Sequence, residues 1–153
     1  MNDITAVLTV LEYNTNEPII YKPIKEIFSN DSNCIDISIL LSAITKEISE
    51  RTLTLNIIHA ESIENGEKLR IYPAVLKEFK INKKTDANRV HIKNFFPQFA
   101  SHRSDVKFNL KNITIFGKGI YTIVLNELTE DEVFNNPKLI IEKAIAYYSF
   151  EVK

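Results

Sequence analysis

Three histidines, His59, His91 and His102, are the chain's supply of the side chain that titrates near neutrality, and Cys34 is its one thiol. His59 and Glu61 stand two residues apart, just after the alternating run Leu53-Thr54-Leu55-Asn56-Ile57. Positions two apart on a strand face the same way, so this pair could bind a metal or share a proton. The same spacing makes His59 the next residue on the apolar face of Leu53, Leu55 and Ile57, where an imidazole packs with one ring nitrogen hydrogen-bonded. Packing is the preferred reading, because neither His59-Glu61 nor His102-Arg103-Ser104-Asp105 has a third ligand at a spacing that completes a metal site. Cys34 could act as a nucleophile beside a distant histidine, but it precedes an apolar run and reads as a small buried residue.

Other chemistries need scaffolds that the sequence does not spell. It has no Gly-rich phosphate loop, no His-Glu-x-x-His and no Gly-x-Ser-x-Gly elbow, and three glycines leave little material for tight backbone cradles. The nearest calcium-like loop, Asn30-Asp31-Ser32-Asn33, offers one carboxylate where a hard cation wants 6–8 oxygens. The expectation is a non-enzymatic protein without cofactor or metal. A hydrolase using His59 or His102 is the alternative in the enzyme class.

Charge is distributed unevenly. Residues 1–76 carry six Lys/Arg against eleven Asp/Glu, residues 77–111 nine against three, and residues 112–153 four against six. Lys77, Lys80, Lys83, Lys84, Arg89, Lys93, Arg103, Lys107 and Lys111 could track phosphates, with Phe95, Phe96 and Phe99 stacking on bases. Against nucleic acid stand the net charge of −1 and the lack of an RNP strand or recognition helix, so a solvated basic face is the default. The segment from Asn88 to Arg103 is the candidate partner-binding site. It sets a basic rim of Arg89, Lys93 and Arg103 around the apolar Phe95, Phe96 and Phe99, an arrangement that interfaces use. In an extended segment the adjacent Phe95 and Phe96 point to opposite sides, so one ring can serve the core and the other a partner.

These residues need elements to hold them, and strand signals dominate. Ile4, Ala6, Leu8 and Val10 alternate, as do Leu53, Leu55 and Ile57. Asn65-Gly66 between apolar runs predicts a hairpin of 51–61 with 67–73. Val106, Phe108 and Leu110 share one parity while Ile113 and Ile115 share the other, so the apolar face flips near Lys111-Asn112, by a bulge or a change of sheet. Gly117-Lys118-Gly119 predicts a second hairpin into 120–127. Residues 36–49 fit a helix through Ile37, Leu40, Leu41, Ile44 and Ile48, and a strand through Ile35, Ile37, Ile39 and Leu41. A strand over 34–44 with a polar turn at 45–50 is favoured, being the more consistent with a neighbouring strand. Thr129-Glu130-Asp131-Glu132 is a capping box that opens a short helix. Asn136-Pro137 can open another to about residue 146, before a closing strand, Tyr148-Ser149-Phe150-Glu151-Val152.

The opening strand, the run 34–43, the Asn65-Gly66 hairpin, Gly119-Ile120-Tyr121-Thr122-Ile123 and the closing strand together resemble small immunoglobulin-like or C2-like β-sandwich proteins of uncharacterised bacterial and phage families. The resemblance implies a mostly-β fold, an antiparallel β-sandwich with one or two short helices, one near the C-terminus, as a single domain over 1–153. It carries no catalytic residue across, and residues 74–104 have no counterpart in it. No apolar run approaches the ~20 residues that span a bilayer, and Met1-Asn2-Asp3-Ile4 lacks a basic leader, so a cytoplasmic location without membrane contact is expected. The lone cysteine agrees with a reducing compartment. The function expected is protein interaction or assembly, with nucleic-acid binding or inhibition through 77–111 as the rival.

Overall fold

A computed structural model describes residues 4–15, 21–28, 33–46, 49–63, 66–82, 90–91 and 102–153, with backbone alone for 60–63, 66–73, 90–91 and 102. Along these residues run the strands β1 (Ile4–Glu12), β2 (Glu26–Ile27), β3 (Cys34–Thr45), β4 (Arg51–Ile63), β5 (Gly66–Ile81), β6 (Val90–His91), β7 (His102–Thr114) and β8 (Gly119–Asn126). Two short helices, α1 (Glu130–Asn135) and α2 (Leu139–Glu142), precede the last strand, β9 (Ala144–Val152). One sheet has the order β1-β3-β7-β6 and the other β2-β9-β8-β4-β5. All pairs are antiparallel except β2 with β9. The chain is mostly β, with a short helix pair near its C-terminus.

Period-two patterning explains the core. Ile4, Leu8 and Val10 of β1, Ile35 to Ala43 at alternate positions of β3, Leu53, Leu55 and Ile57 of β4, Ile123 and Leu125 of β8, and Phe150 and Val152 of β9 form one buried cluster. Both sheets therefore share a core, and each fully buried Ile or Leu in it is worth about 1.5–3 kcal/mol. The ambiguous stretch is a strand, Cys34–Thr45, because β3 has β1 on one side and β7 on the other. Two neighbours satisfy its backbone groups in both directions while one face meets the core.

The face flip at Lys111-Asn112 is a bulge. Ile35 pairs with Ile113 and Ile37 with Leu110, so Lys111 and Asn112 stand opposite Asp36 alone. Asn112 takes the left-handed φ of 56° that this kink requires, and its backbone N–H donates to Asp36 Oδ1 at 2.8 Å.

Three expectations need correction. The second hairpin does not form: β7 belongs to the first sheet and β8 to the second, so residues 115–118 cross from one sheet to the other. Gly117 at φ 95° and Gly119 at φ 135° make the reversal, and Tyr121 braces it. Its hydroxyl accepts from Phe116 N at 3.0 Å and donates to the Gly117 carbonyl at 2.7 Å. The helix expected from 136 to about 146 ends at Glu142, because Ala146, Tyr148 and Phe150 are drawn into β9 opposite Leu125, Ile123 and Tyr121. The hairpin's second arm, expected over 67–73, runs on to Ile81, giving a place to residues 74–81.

The capping box before α1 is formed, with Thr129 Oγ1 accepting from Glu132 N and Glu132 Oε1 accepting from Thr129 N. Both helices lie over the outer side of the second sheet, where Val133 and Ile140 pack with Val124 and Leu128 in a second, smaller core. That cover buries Thr54 and Asn56, the polar positions of β4.

Candidate interaction surface

The outer side of the first sheet carries Val7 and Thr9 from β1, Leu40 and Ser42 from β3, and Arg103, Asp105 and Lys107 from β7. With Tyr21 they line an open groove of about 550 Å³. Alternation sends Ile4, Leu8 and Val10 inward and Val7 outward, and Val7 is left 67% exposed, as Tyr21 is 63% exposed. Two apolar side chains thus face solvent beside a row of charges.

The lower half of the same face is closed by the chain after β1. Ser38, fully buried, accepts from Asn14 N at 3.1 Å and donates to Asn109 Oδ1 at 2.7 Å. Lys107 Nζ donates to the Asn14 carbonyl at 2.8 Å and to Asn14 Oδ1 at 3.1 Å. Lys111 Nζ sits 5.1 Å from the centre of the Tyr13 ring. Arg103 pairs with Asp105 at 3.0 Å and Lys80 with Glu50 at 3.1 Å. These four cations of the basic region are engaged with the protein's own groups, which weakens the picture of a free row of phosphate contacts.

Of the six residues expected to bind a partner, Arg103 alone is described, exposed at the end of the groove. Arg89, Lys93, Phe95, Phe96 and Phe99 lie outside the described residues. Sequence reasoning missed Val7, Tyr21 and Leu40. The available signal was Val7, an apolar residue at a position of β1 whose parity faces away from the core.

His59 is fully buried at the end of the Leu53-Leu55-Ile57 face. Its Nδ1 lies 3.1 Å from the Ile120 carbonyl, and its ring stacks on Tyr121 with centroids 4.1 Å apart. The imidazole is packed between strands rather than offered to a substrate. The side chains of Glu61, His91 and His102 lie outside the described residues, and Cys34 is half-buried. Among the described residues, no three His, Cys, Asp or Glu side chains gather where they could hold a metal ion. No helix among them is long and apolar enough to cross a membrane.

No protein-family model and no curated protein sequence matches the chain. Among solved structures it is similar to a Pseudomonas fluorescens alkylpurine DNA glycosylase, AlkC, bound to DNA containing an abasic site analog, at 10% identity and a TM-score of 0.44. It is also similar to a β-glucosidase from Listeria innocua in complex with laminaribiose, at 7% identity and a TM-score of 0.43. The likenesses cover 99% and 98% of this chain but 30% and 16% of those proteins, so the chain spans less than a third of either.

Proposed function

We propose that this chain is a non-catalytic protein-interaction domain of the cytoplasm, built as an immunoglobulin-like β-sandwich, whose partner seats on the outer face of the first sheet around Arg103. The observation that carries the reading is the groove itself: exposed Val7 and Tyr21 beside Leu40, bordered by Arg103, Asp105 and Lys107. An apolar centre with a charged rim, and an Arg and a Tyr as anchors, is the composition of protein interfaces. The short strand β6, Val90–His91, pairs with β7 at Arg103 and His102, at this end of the sheet.

Support for the immunoglobulin-like architecture comes from strand order. The sequence β1-β3-β7-β6 parallels the A-B-E-D sheet of such domains, and β9-β8-β4-β5 parallels G-F-C with one further strand. The hydroxyl of Tyr121, bonded back to the chain four and five residues upstream, has the form of a tyrosine corner at the start of strand F.

The test is affinity capture from the native cells at low and moderate salt, with wild type and Arg103→Glu, analysing protein and nucleic acid. A protein that wild type retains at moderate salt, and that Arg103→Glu loses without a change in melting temperature, is the expected result. Nucleic acid recovered at low salt and released at moderate salt would instead favour the basic-region reading. A partner that Arg103→Glu still holds would place the contact elsewhere.

A further inference from the structure

The chain leaves the second sheet at Asn126 and returns to it at Ala144, and these two residues pair across the β8–β9 ladder. The excursion between them, Glu127 to Lys143, holds α1 and α2 and contributes no residue to either sheet. It therefore begins and ends at one fixed point. Lifting it away leaves the β4–β8 and β8–β9 pairings whole.

Its grip on the sheet is of two kinds. The apolar part is small: Leu128, Val133 and Ile140 meet Val124 of β8 in a cluster separate from the core that the two sheets share. Each helix buries one apolar residue and turns the next one out, leaving Phe134 49% and Ile141 46% exposed. The remaining grip is polar. Asn126 Nδ2 donates to the carbonyls of Ile140 and Lys143, Glu78 Oε2 accepts from Glu130 N at 2.7 Å, and Arg51 holds the Glu127 carboxylate through two guanidinium nitrogens. Water substitutes for polar partners of this kind at a small net loss.

Beneath the helices the sheet is polar as well. Thr54, Asn56 and Asn126 are fully buried there, and Asn56 Oδ1 has no hydrogen-bond partner among the described residues. The buried amide of Asn82 is different, with Nδ2 donating to Thr45 and Oδ1 accepting from Ser104. An amide oxygen shut away from water without a donor favours any state that admits water.

We infer that the segment from Glu127 to Lys143 is a cover that opens as one unit while both sheets stay folded, uncovering Thr54, Asn56, Val124 and Asn126. A small apolar grip, replaceable polar fastenings and an unsatisfied oxygen underneath put this segment at the low end of the protein's local stabilities. The cover lies on the second sheet, so the inference is independent of the Arg103 groove on the first.

Thiol labelling tests it, because adjacent residues of β8 face opposite ways. Val124 lies under the cover, and Ile123 lies in the core between the sheets. In a Cys34→Ser background, Val124→Cys and Ile123→Cys are each treated with a thiol-reactive reagent without denaturant. Position 124 should label at least about 100-fold faster than position 123, which is reached only by global unfolding. Equal rates would overturn the proposal. Hydrogen exchange in the unsubstituted chain supplies a second measurement that needs no variant. The amides of Val133, Ile140, Ile141 and Lys143, all hydrogen-bonded within the cover, should share one opening constant to within about threefold, with a weaker urea dependence than the amides of Ile123 and Leu125. Constants that differ along the helices would mean fraying turn by turn, and constants and urea dependence equal to those of β8 would mean that the cover unfolds only with the sheets. Either result would overturn the proposal.

Discussion

Replacing Asn126 with alanine should release the helix pair from the second sheet. Asn126 is fully buried at the end of β8. Its Nδ2 donates to the carbonyls of Ile140 at 3.0 Å and Lys143 at 2.9 Å, in and just after α2, and its Oδ1 accepts from Asn56 Nδ2 at 3.0 Å. The side chain thus takes over carbonyls that the end of a four-residue helix leaves without partners. In Asn126→Ala the three bonds go, but not at equal cost. Lys143 is exposed and water can reach it, while Asn56 Nδ2 keeps Thr54 Oγ1 at 2.9 Å. The Ile140 carbonyl has neither remedy. With about 1–3 kcal/mol for that one stranded group and about 1 kcal/mol net for the other two bonds together, the expected loss is about 2–4 kcal/mol. For a chain of this size that lowers Tm by about 5–15 °C. Asn56→Ala should cost less, since Asn56 Oδ1 has no hydrogen-bond partner among the described residues. The double variant should fall short of the sum of the singles by about 1 kcal/mol, the two amides being one network. Urea unfolding of the four proteins gives the cycle. A loss below about 1 kcal/mol for Asn126→Ala, or strict additivity, would refute the claim that these amides hold the helices down.

Three further outcomes are expected. Gly119 sits at φ 135°, so Gly119→Ala should cost about 1 kcal/mol or more and Gly119→Val more still, with circular dichroism showing the strands intact; melts equal to wild type would contradict the strained arch. Tyr121→Phe keeps the ring and removes both back-bonds to residues 116 and 117, which lie in an exposed loop, so chemical denaturation should show a loss of about 1–2 kcal/mol. Burial first, and then the neighbouring Tyr21, push the Tyr148 phenol above its ordinary 10.0. Because the folded value lies above the unfolded one, this contribution is whole below about pH 10 and is lost as pH rises through the folded value. Stability measured across that alkaline range should decline in wild type and decline less in Tyr148→Phe.

Local rules carried far where the cause was local. The capping box at Thr129 and Glu132 needs four residues and a turn of backbone, and it forms as read. The parity change between Leu110 and Ile113 can be accommodated by a bulge without knowing which strand lies opposite. Reading failed where the decision belonged to a distant neighbour. Ala144 and Ala146 fit a helix until Asn126 and Leu125 are placed beside them. Gly117-Lys118-Gly119 reads equally as a hairpin turn or a crossing between sheets, because glycine permits both and only the partners of β7 and β8 distinguish them.

The same division governs the candidate surfaces. Alternation along β1, β3 and β4 determined a mostly-β chain with its inward residues, and His59 as one of them, because side-chain parity is a property of each strand alone. Thr54 and Asn56 were bound to look solvated, since their burial comes from helices far later in the chain, Glu130–Asn135 and Leu139–Glu142. Arg103 was legible as a surface cation, but residues 7, 21, 40 and 103 become one groove only when β1, β3 and β7 pair. Composition and period fix which way a side chain points from its own strand, and the pairing of strands distant in sequence decides what it points at.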